Sequence, residues 1–226
     1  MTSFQVVAQI KKKFNLKKVG HAGTLDPLAS GVLVILTGDD TKKQDEVMKQ
    51  PKEYIVDITF GISSPSHDLE FLPTFTNEVS LPSILPAIDK TILKYRGEII
   101  QEIPAFSAKK VAGKPLYKNA RKNSQNITVK GDSLDSGSDS NHFKQVIVNE
   151  IVLIDKFTSD ITTIEGVKHL PTLRLKINSS HGFFVRSLAR DLGRDFNTSA
   201  VVTELVRSKV GEYSIKTAVL PDSLHI

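Results

Sequence analysis

A glycine-punctuated segment followed by a short apolar run places the strongest constraint on how this chain folds. Residues 18–36 read KVGHAGTLDPLASGVLVIL, and two early glycines allow backbone conformations and close approaches that other residues avoid. Pro27 restricts the backbone of Asp26 to extended values. The run Val32–Leu36 is wholly apolar and rich in β-branched side chains, which predicts a buried strand. We therefore expect one carboxylate on a stiff loop beside a core strand, a common placement for functional groups.

The acidic loop has a plain structural interpretation and a functional one. An Asp-Pro pair commonly begins a turn or a helix, and His21 is compatible with a solvated loop position. The longer string GHAGTLDPLASGVL, however, resembles the catalytic signature of the TruB family of tRNA pseudouridine synthases, including their fungal relatives. This resemblance implies that Asp26 is the catalytic aspartate and that His21 helps to hold the nucleotide that is flipped out of the RNA.

Composition excludes several other classes of protein. The 226 residues contain no cysteine, which rules out disulfides and thiolate metal sites. The six histidines show no metal-binding spacing, so no metal ligand is assigned. No apolar stretch is long enough to span a bilayer, and no secretory signal is visible, so no membrane partner is expected. The net charge of +5 is a mild basic excess, which is compatible with a nucleic-acid partner.

Periodicity predicts alternating helices and strands along the chain. A first helix is expected from a Ser3 cap, with an apolar face formed by Phe4, Val7, Ile10 and Phe14. Glu53–Phe60 alternates and predicts a half-buried strand, and Ser80 is expected to cap a helix over Leu81–Tyr95. Further strands are predicted at Gly97–Gln101, Lys144–Phe157, Thr172–Ser179 and Val210–Ile215, and a further helix carries Leu188 and Leu192 and ends near Gly193.

Two motifs after the acidic loop extend the resemblance. Tyr54, in Lys52-Glu53-Tyr54, aligns with the family tyrosine that stacks on the target base, although a core aromatic at a strand start is an equal alternative. The spaced hydroxyls and acid of Ser64, Ser66 and Asp68 resemble the family pattern Thr-x-Thr-x-Asp.

The second signature lies near the end of the chain. Residues 179–188, SSHGFFVRSL, resemble the family's Ser-x-Gly-Thr-Tyr-Ile-Arg-Ser-Leu, with Phe183 and Phe184 in place of Thr-Tyr. A ring is kept for stacking, whereas the phenolic hydroxyl is lost. Arg186 matches the arginine that pairs with the catalytic carboxylate. Leu205 matches a leucine that lines the uracil pocket, a position that core packing explains equally well.

The middle of the chain carries a third match and a polar insert. Residues 103–121 resemble the family's Pro-Pro-x-Phe-Ser-Ala-x-Lys and Gly-x-x-x-Tyr-x-x-Ala-Arg patterns, although ordinary surface charge also explains Lys109, Lys110 and Arg121. Residues 122–142 are rich in Ser, Asp, Asn and Gly, which predicts a mobile insert. We expect one catalytic domain over residues 1–226. The family's first strand and its PUA module have no counterpart in the printed sequence.

The resemblance implies a fold, a reaction and a partner. The fold is α+β, with a mixed and mostly antiparallel sheet flanked by helices. The reaction is isomerisation of the T-loop uridine at position 55 of tRNA to pseudouridine, which requires no cofactor. Arg186 favours the ionised form of Asp26, while Tyr54 and Phe184 sandwich the extruded base.

Alternatives remain for the function and for the setting. A non-catalytic RNA-binding or tRNA-folding module and a synthase acting on rRNA or mRNA are both compatible with these motifs. The expected protein is a monomer with tRNA as its partner. Its compartment stays open between nucleus or mitochondrion in a eukaryote and cytoplasm in a bacterium.

Overall fold

The computed structural model describes residues 1–104, 106, 110–111, 114–115 and 142–224. The helices are α1 (Ser3–Lys13), α2 (Gln44–Lys49), α3 (Leu81–Leu93) and α4 (Val185–Asp195), with 3-10 turns at Gly38–Lys43 and Pro221–Ser223. The strands are β1 (Val19–His21), β2 (Ser30–Gly31), β3 (Ile35–Thr37), β4 (Lys52–Phe60), β5 (Ile62–Ser63), β6 (Thr74–Phe75), β7 (Gly97–Glu102), β8 (Lys110–Val111), β9 (Lys114–Pro115), β10 (Phe143–Thr163), β11 (Gly166–Ser179), β12 (Ala200–Val210) and β13 (Tyr213–Ser214).

One seven-stranded sheet organises the fold. Its strands follow the order β13-β12-β4-β11-β10-β7, and the short β2 pairs with β12 from outside this path. The β2–β12 pair is parallel, whereas the other pairs in this sheet are antiparallel. The expected α+β fold with a mixed, mostly antiparallel sheet and flanking helices is therefore confirmed.

The central strand β4 is buried on both faces, not on one. Val56, Ile58 and Phe60 are fully buried in the main apolar core, which α3 and α4 also enter. On the opposite face Asp57 accepts two hydrogen bonds from Arg174, at 2.6 and 2.7 Å. Thr59 shares hydrogen bonds with threonines of both neighbouring strands. The prediction of a half-buried strand was wrong because cross-strand polar pairs cover the second face.

The N-cap of the first helix is Thr2 and not Ser3, so the helix begins one residue earlier than predicted. Thr2 is the N-cap, and the Gln5 N–H donates to Thr2 Oγ1 at 3.2 Å while the Thr2 N–H donates to Gln5 Oε1 at 2.7 Å. Ser3 is thereby released for another contact, since its Oγ accepts a hydrogen bond from the Leu25 N–H at 3.0 Å. The cap predicted for α3 is confirmed at Ser80, and that helix ends at Leu93.

Two predicted strands differ from those observed. Within Val32–Leu36 only the last two residues enter a strand, β3, although Val32 and Val34 are buried as expected. The predicted strand Val210–Ile215 is instead the end of β12, a turn, and the two-residue β13. Most of β12 escaped the pattern analysis because two register shifts against β4 break its alternation of buried and exposed residues.

The other predicted strands are present and longer than expected. The segments predicted at Lys144–Phe157 and Thr172–Ser179 are parts of one long hairpin, β10 and β11. Apart from His142, the predicted insert lies outside the described residues, as do Lys109, Arg121 and most of the motif around them. None of the helices in the described ranges is long and apolar enough to cross a bilayer.

Candidate active site

The acidic loop, residues 22–31, follows β1 and includes the short strand β2, and its backbone is fixed at several points. The Ala22 N–H donates to the carbonyl of Val34 at 2.9 Å, and Ala22 is fully buried. The Ala29 N–H donates to the carbonyl of Asp26 at 2.9 Å, which closes a turn around Pro27. Together with the contact between Leu25 and Ser3, these bonds hold the backbone of Asp26 in one position.

Asp26 and Arg186 are in direct contact. Arg186 Nε lies 3.0 Å from Asp26 Oδ2, and the Asp26 side chain keeps 39% of its surface exposed while that of Arg186 keeps 5%. The guanidinium also donates through Nη1 to the carbonyl of Ser66 and through Nη2 to the carbonyl of Phe106, both at 3.2 Å. These two carbonyls fix the orientation of the guanidinium, so that its Nε faces the accessible carboxylate of Asp26.

A second carboxylate faces the same guanidinium. Asp68 is buried, and its Oδ2 lies 3.7 Å from Arg186 Nε. Its Oδ1 accepts hydrogen bonds from Ser66 Oγ and from the Glu70 N–H, whereas among the described residues Oδ2 has no hydrogen-bond partner. Both hydroxyls of the motif therefore bond to Asp68: Ser66 Oγ donates to its carboxylate, and Ser64 Oγ donates to its backbone carbonyl. One guanidinium is thus shared between two acids.

Burial raises the pKa of Asp26 above the usual aspartate value, and the negative charges of Asp68 and Glu70 act in the same direction. Arg186 opposes this rise through its charge and its hydrogen bond. The expected effect of Arg186 is therefore present but does not outweigh burial. The result is a partly exposed carboxylate that is more basic than an ordinary aspartate.

Tyr54 stands in β4 opposite Arg207 of β12 and packs against the main core. Burial raises the pKa of its phenol, the positive charge of Arg207 opposes this rise, and the charge of Asp26 adds to it. The hydroxyl is thus protonated at neutral pH and lies within electrostatic reach of Asp26. Leu205, two residues before Arg207, is buried in the main core, as core packing alone would also explain.

Phe184 is the N-cap of α4, two residues before Arg186. Gln101 of β7 fixes it, since the Phe184 N–H donates to Gln101 Oε1 at 2.9 Å and Gln101 Nε2 donates to the Phe184 carbonyl at 3.1 Å. Gln101 is itself buried. The sequence analysis did not single out Gln101, because a glutamine in a short strand carries no signal of this clamp.

His21 and Asp26 both border a cavity of about 1160 Å³. Its walls come largely from apolar side chains of α1, from residues 31–35 and from residues 217–224. Burial lowers the pKa of His21, and the charge of Arg207 lowers it further, so the imidazole is neutral at pH 7. The cavity has room for a flat organic ring beside the acid. Its lining does not include Tyr54, Phe184, Arg186 or Leu205.

The structure relates residues from three segments that are distant in sequence: residues 21–26, Tyr54 and residues 184–186. Asp26 and Arg186 touch, Tyr54 and His21 respond to the charges around them, and Phe184 begins the helix that carries Arg186. Within the described ranges, no group of three or more histidine, aspartate or glutamate side chains is arranged to hold a metal ion. The sequence analysis assigned no role to Arg207, because β12 also contains Glu204 and Lys209 and one more charged residue there carries no distinct signal.

Comparison with known proteins gives a family match and several similar proteins. Residues 11–133 match the model of the TruB family pseudouridylate synthase N-terminal domain. The tRNA pseudouridine synthase B of Bacteroides thetaiotaomicron is 34% identical over 98% of this chain and 85% of its own. That of Flavobacterium johnsoniae is 36% identical over 96% and 87%. Among solved structures, a Cbf5-Nop10-Gar1 complex contains a chain that matches with a TM-score of 0.59 at 24% identity, over 95% of this chain and 46% of that one.

Proposed function

Since the chain belongs to the TruB family of pseudouridylate synthases, a family of isomerases, we propose that it converts the T-loop uridine at position 55 of tRNA to pseudouridine. One observation carries this proposal: Asp26 is accessible on a fixed loop, with Oδ2 3.0 Å from Arg186 Nε. Two relatives whose names specify tRNA as substrate support the choice of RNA.

The proposed reaction needs only the groups of the site. The bond between ribose and the ring nitrogen breaks, the uracil turns, and a bond forms between the same ribose carbon and a ring carbon. One proton leaves that ring carbon and one returns to the nitrogen, so the atoms balance without a co-reactant. Asp26 acts as nucleophile or base toward the nucleoside, and its raised pKa strengthens both roles.

The other predicted residues are assigned to holding the base. Extrusion of a base costs a few kcal/mol, which stacking on aromatic faces offsets. We assign Tyr54 and Phe184 to that stacking, Leu205 to the apolar side of the uracil pocket, and His21 to the flipped nucleotide. Because His21 is neutral, it offers one donor and one acceptor without adding charge.

The test is an Asp26→Asn variant incubated with an unmodified tRNA transcript. Product should disappear, because the amide is neither a nucleophile nor a base, while the affinity for tRNA should stay within about threefold of wild type. Pseudouridine is mapped by position and binding is measured by filter retention. Asp39→Asn, whose carboxylate is 91% exposed, is the matched control and should retain full activity.

The outcomes separate the candidate functions. Binding by the wild-type chain without product would overturn the enzyme assignment and leave an RNA-binding or tRNA-folding module. Product at another tRNA position, or only in rRNA or mRNA, would overturn the assignment of the substrate. Turnover that persists in Asp26→Asn would remove Asp26 from the catalytic role.

A further inference from the structure

Arg207 is a buried cation whose guanidinium donates to backbone carbonyls in and next to the acidic loop. The residue is 3% exposed. Its Nε donates to the carbonyl of Val32 at 2.8 Å, its Nη1 to that of Thr24 at 3.2 Å, and its Nη2 to that of Gly23 at 3.0 Å. These acceptors lie on the two flanks of Asp26, so one planar side chain joins both ends of the loop.

The backbone of Arg207 holds the loop as well. Arg207 is paired with Gly31 in the parallel β2–β12 ladder, and the Val32 N–H donates to the Arg207 carbonyl at 2.8 Å. The approach is so close that a Cβ at Gly31 would lie 2.3 Å from that carbonyl oxygen. The register of β12 against β4 shifts immediately after Arg207, a distortion that commonly re-aims a side chain.

The same guanidinium reaches the other side of the site. Arg207 stands directly opposite Tyr54 in the sheet, and its positive charge lowers the pKa of the Tyr54 phenol against the effect of burial. Burial lowers the pKa of Arg207, while the phenol of Tyr54 and the charge of Asp26 both act in the opposite direction and favour the cationic form. Arg207 thus contacts the loop that carries the acid and lies directly opposite the aromatic residue assigned to the base.

We propose that Arg207 is a positioning residue that fixes the distance between Asp26 and Tyr54 and so sets the alignment of the uridine. This rests on the proposed function of the site. Lysine in its place would keep the charge and much of the stem, but an ammonium lacks the planar fork that donates to three carbonyls together. Misplacement of a reacting group by about 1 Å can reduce a rate about 100-fold.

The test compares Arg207→Lys, Arg207→Ala and Arg190→Lys. Arg190 is the matched control: it is 9% exposed and donates through Nη1 to Glu102 Oε2 at 2.8 Å, away from Asp26. For each variant the thermal unfolding, the affinity for tRNA and the single-turnover rate are measured. Arg207→Lys should fold, bind tRNA within about threefold of wild type and react about 100-fold more slowly. Arg190→Lys should react within about twofold of wild type.

Chemical rescue separates positioning from general support of the fold. Methylguanidinium at millimolar concentration should restore part of the rate of Arg207→Ala, because it can enter the space left by the side chain, and should not change the rate of wild type. If Arg207→Ala does not fold, Arg207→Lys alone decides. Arg207→Lys would overturn the proposal if it unfolds, reacts within twofold of wild type, or loses rate only in proportion to binding. An equal loss in Arg190→Lys would also overturn it.

Amide hydrogen exchange, measured without RNA, tests the positioning role of Arg207 separately from the proposed pseudouridine synthase activity. The amide hydrogens of Leu25 and Val32, both bonded within the loop's attachments, should exchange faster in Arg207→Lys than in wild type. Unchanged exchange would overturn the positioning role even if the wild-type chain makes pseudouridine. Absence of product from wild type, with faster exchange in the variant, would remove the assigned reaction and leave Arg207 as the residue that orders the loop.

Discussion

At the scale of single residues, Asp26 is held in an environment that does not favour its own charge. Burial and the neighbouring acids Asp68 and Glu70 raise its pKa, and Arg186 only partly compensates. A group with a raised folded-state pKa stabilises the fold most when protonated, and that contribution is lost as the pH rises through the folded-state pKa. The ionised acid at pH 7 is therefore a local source of instability, as is common where function requires it.

This environment leads to a prediction about Asp26→Asn that is independent of its activity. Because the amide is neutral at every pH, the variant should have a higher Tm than wild type at pH 7. The difference should shrink as the pH falls below the usual aspartate range, where the carboxyl is protonated in both folded and unfolded chains. Thermal unfolding followed by circular dichroism from pH 3 to pH 7 provides the measurement. Asp39→Asn should show no such pH-dependent gain, and a lower Tm for Asp26→Asn at pH 7 would contradict the prediction.

A pair of glycines isolates the close approach between the loop and β12. Gly31 and Gly166 have nearly the same φ, +100° and +101°, but a Cβ at Gly166 would meet nothing within 4 Å. Gly166→Ala should therefore lower the unfolding free energy by about 1 kcal/mol through backbone strain alone. Gly31→Ala adds the overlap with the Arg207 carbonyl and should lower it by at least about 2 kcal/mol more. Urea unfolding of both variants measures the difference, and equal losses would show that the loop can move away.

At the scale of elements, the sequence predicts helices and strands that depend on neighbouring residues, and it misses features that depend on the pairing of distant strands. The α3 cap, parts of strands β10 and β11, and the helix around Leu188 follow from caps and periodicity that neighbouring residues determine. β12 could not be recognised in this way, because its two bulges arise from its register against β4. The Asp26–Arg186 contact was expected only from the resemblance, since 160 residues separate the two positions and no periodicity links them.

The start of α4 provides a prediction at this scale. Gln101 satisfies both the N–H and the carbonyl of Phe184 from a buried position. Gln101→Ala leaves those groups without their partner and removes packing, so the unfolding free energy should fall by about 2 kcal/mol. Gln145→Ala, at an exposed position where Nε2 bonds Glu98 at 3.1 Å, is the control and should change it by less than about 0.5 kcal/mol. A small change in the unfolding free energy of Gln101→Ala would mean that water replaces the two hydrogen bonds to Phe184.

At the scale of the whole molecule, the site depends on the completed sheet. Its residues come from the loop before β2, from β4, from the segment after β5, from α4 and from β12. Arg207 and Tyr54 meet only when β12 has paired with β4, and Arg186 is locked by carbonyls of two further segments. The site is therefore expected to form together with the global fold.

This dependence predicts that activity and structure are lost together. In a urea titration the midpoint of the single-turnover rate should coincide, within about 0.3 M, with the midpoints of far-ultraviolet circular dichroism and tyrosine fluorescence, as for a two-state domain. The assay uses brief single-turnover reactions so that the RNA stays folded, and the melting of tRNA under the same conditions is the control. Activity that disappears well before the structure would show that the loop opens independently.

The two-ended attachment of the acidic loop also has a consequence for how this stretch can vary among related proteins. Both flanks of the loop bond to the same strand residue, Arg207, so the distance that the loop has to span is fixed. Individual exposed positions along it can change, but an inserted residue has to bulge outward, into the volume where a substrate would sit. We therefore expect substitutions at exposed positions of this loop to be tolerated and insertions or deletions to be rejected. The length of the loop should then indicate relatedness more strictly than the identity of its residues.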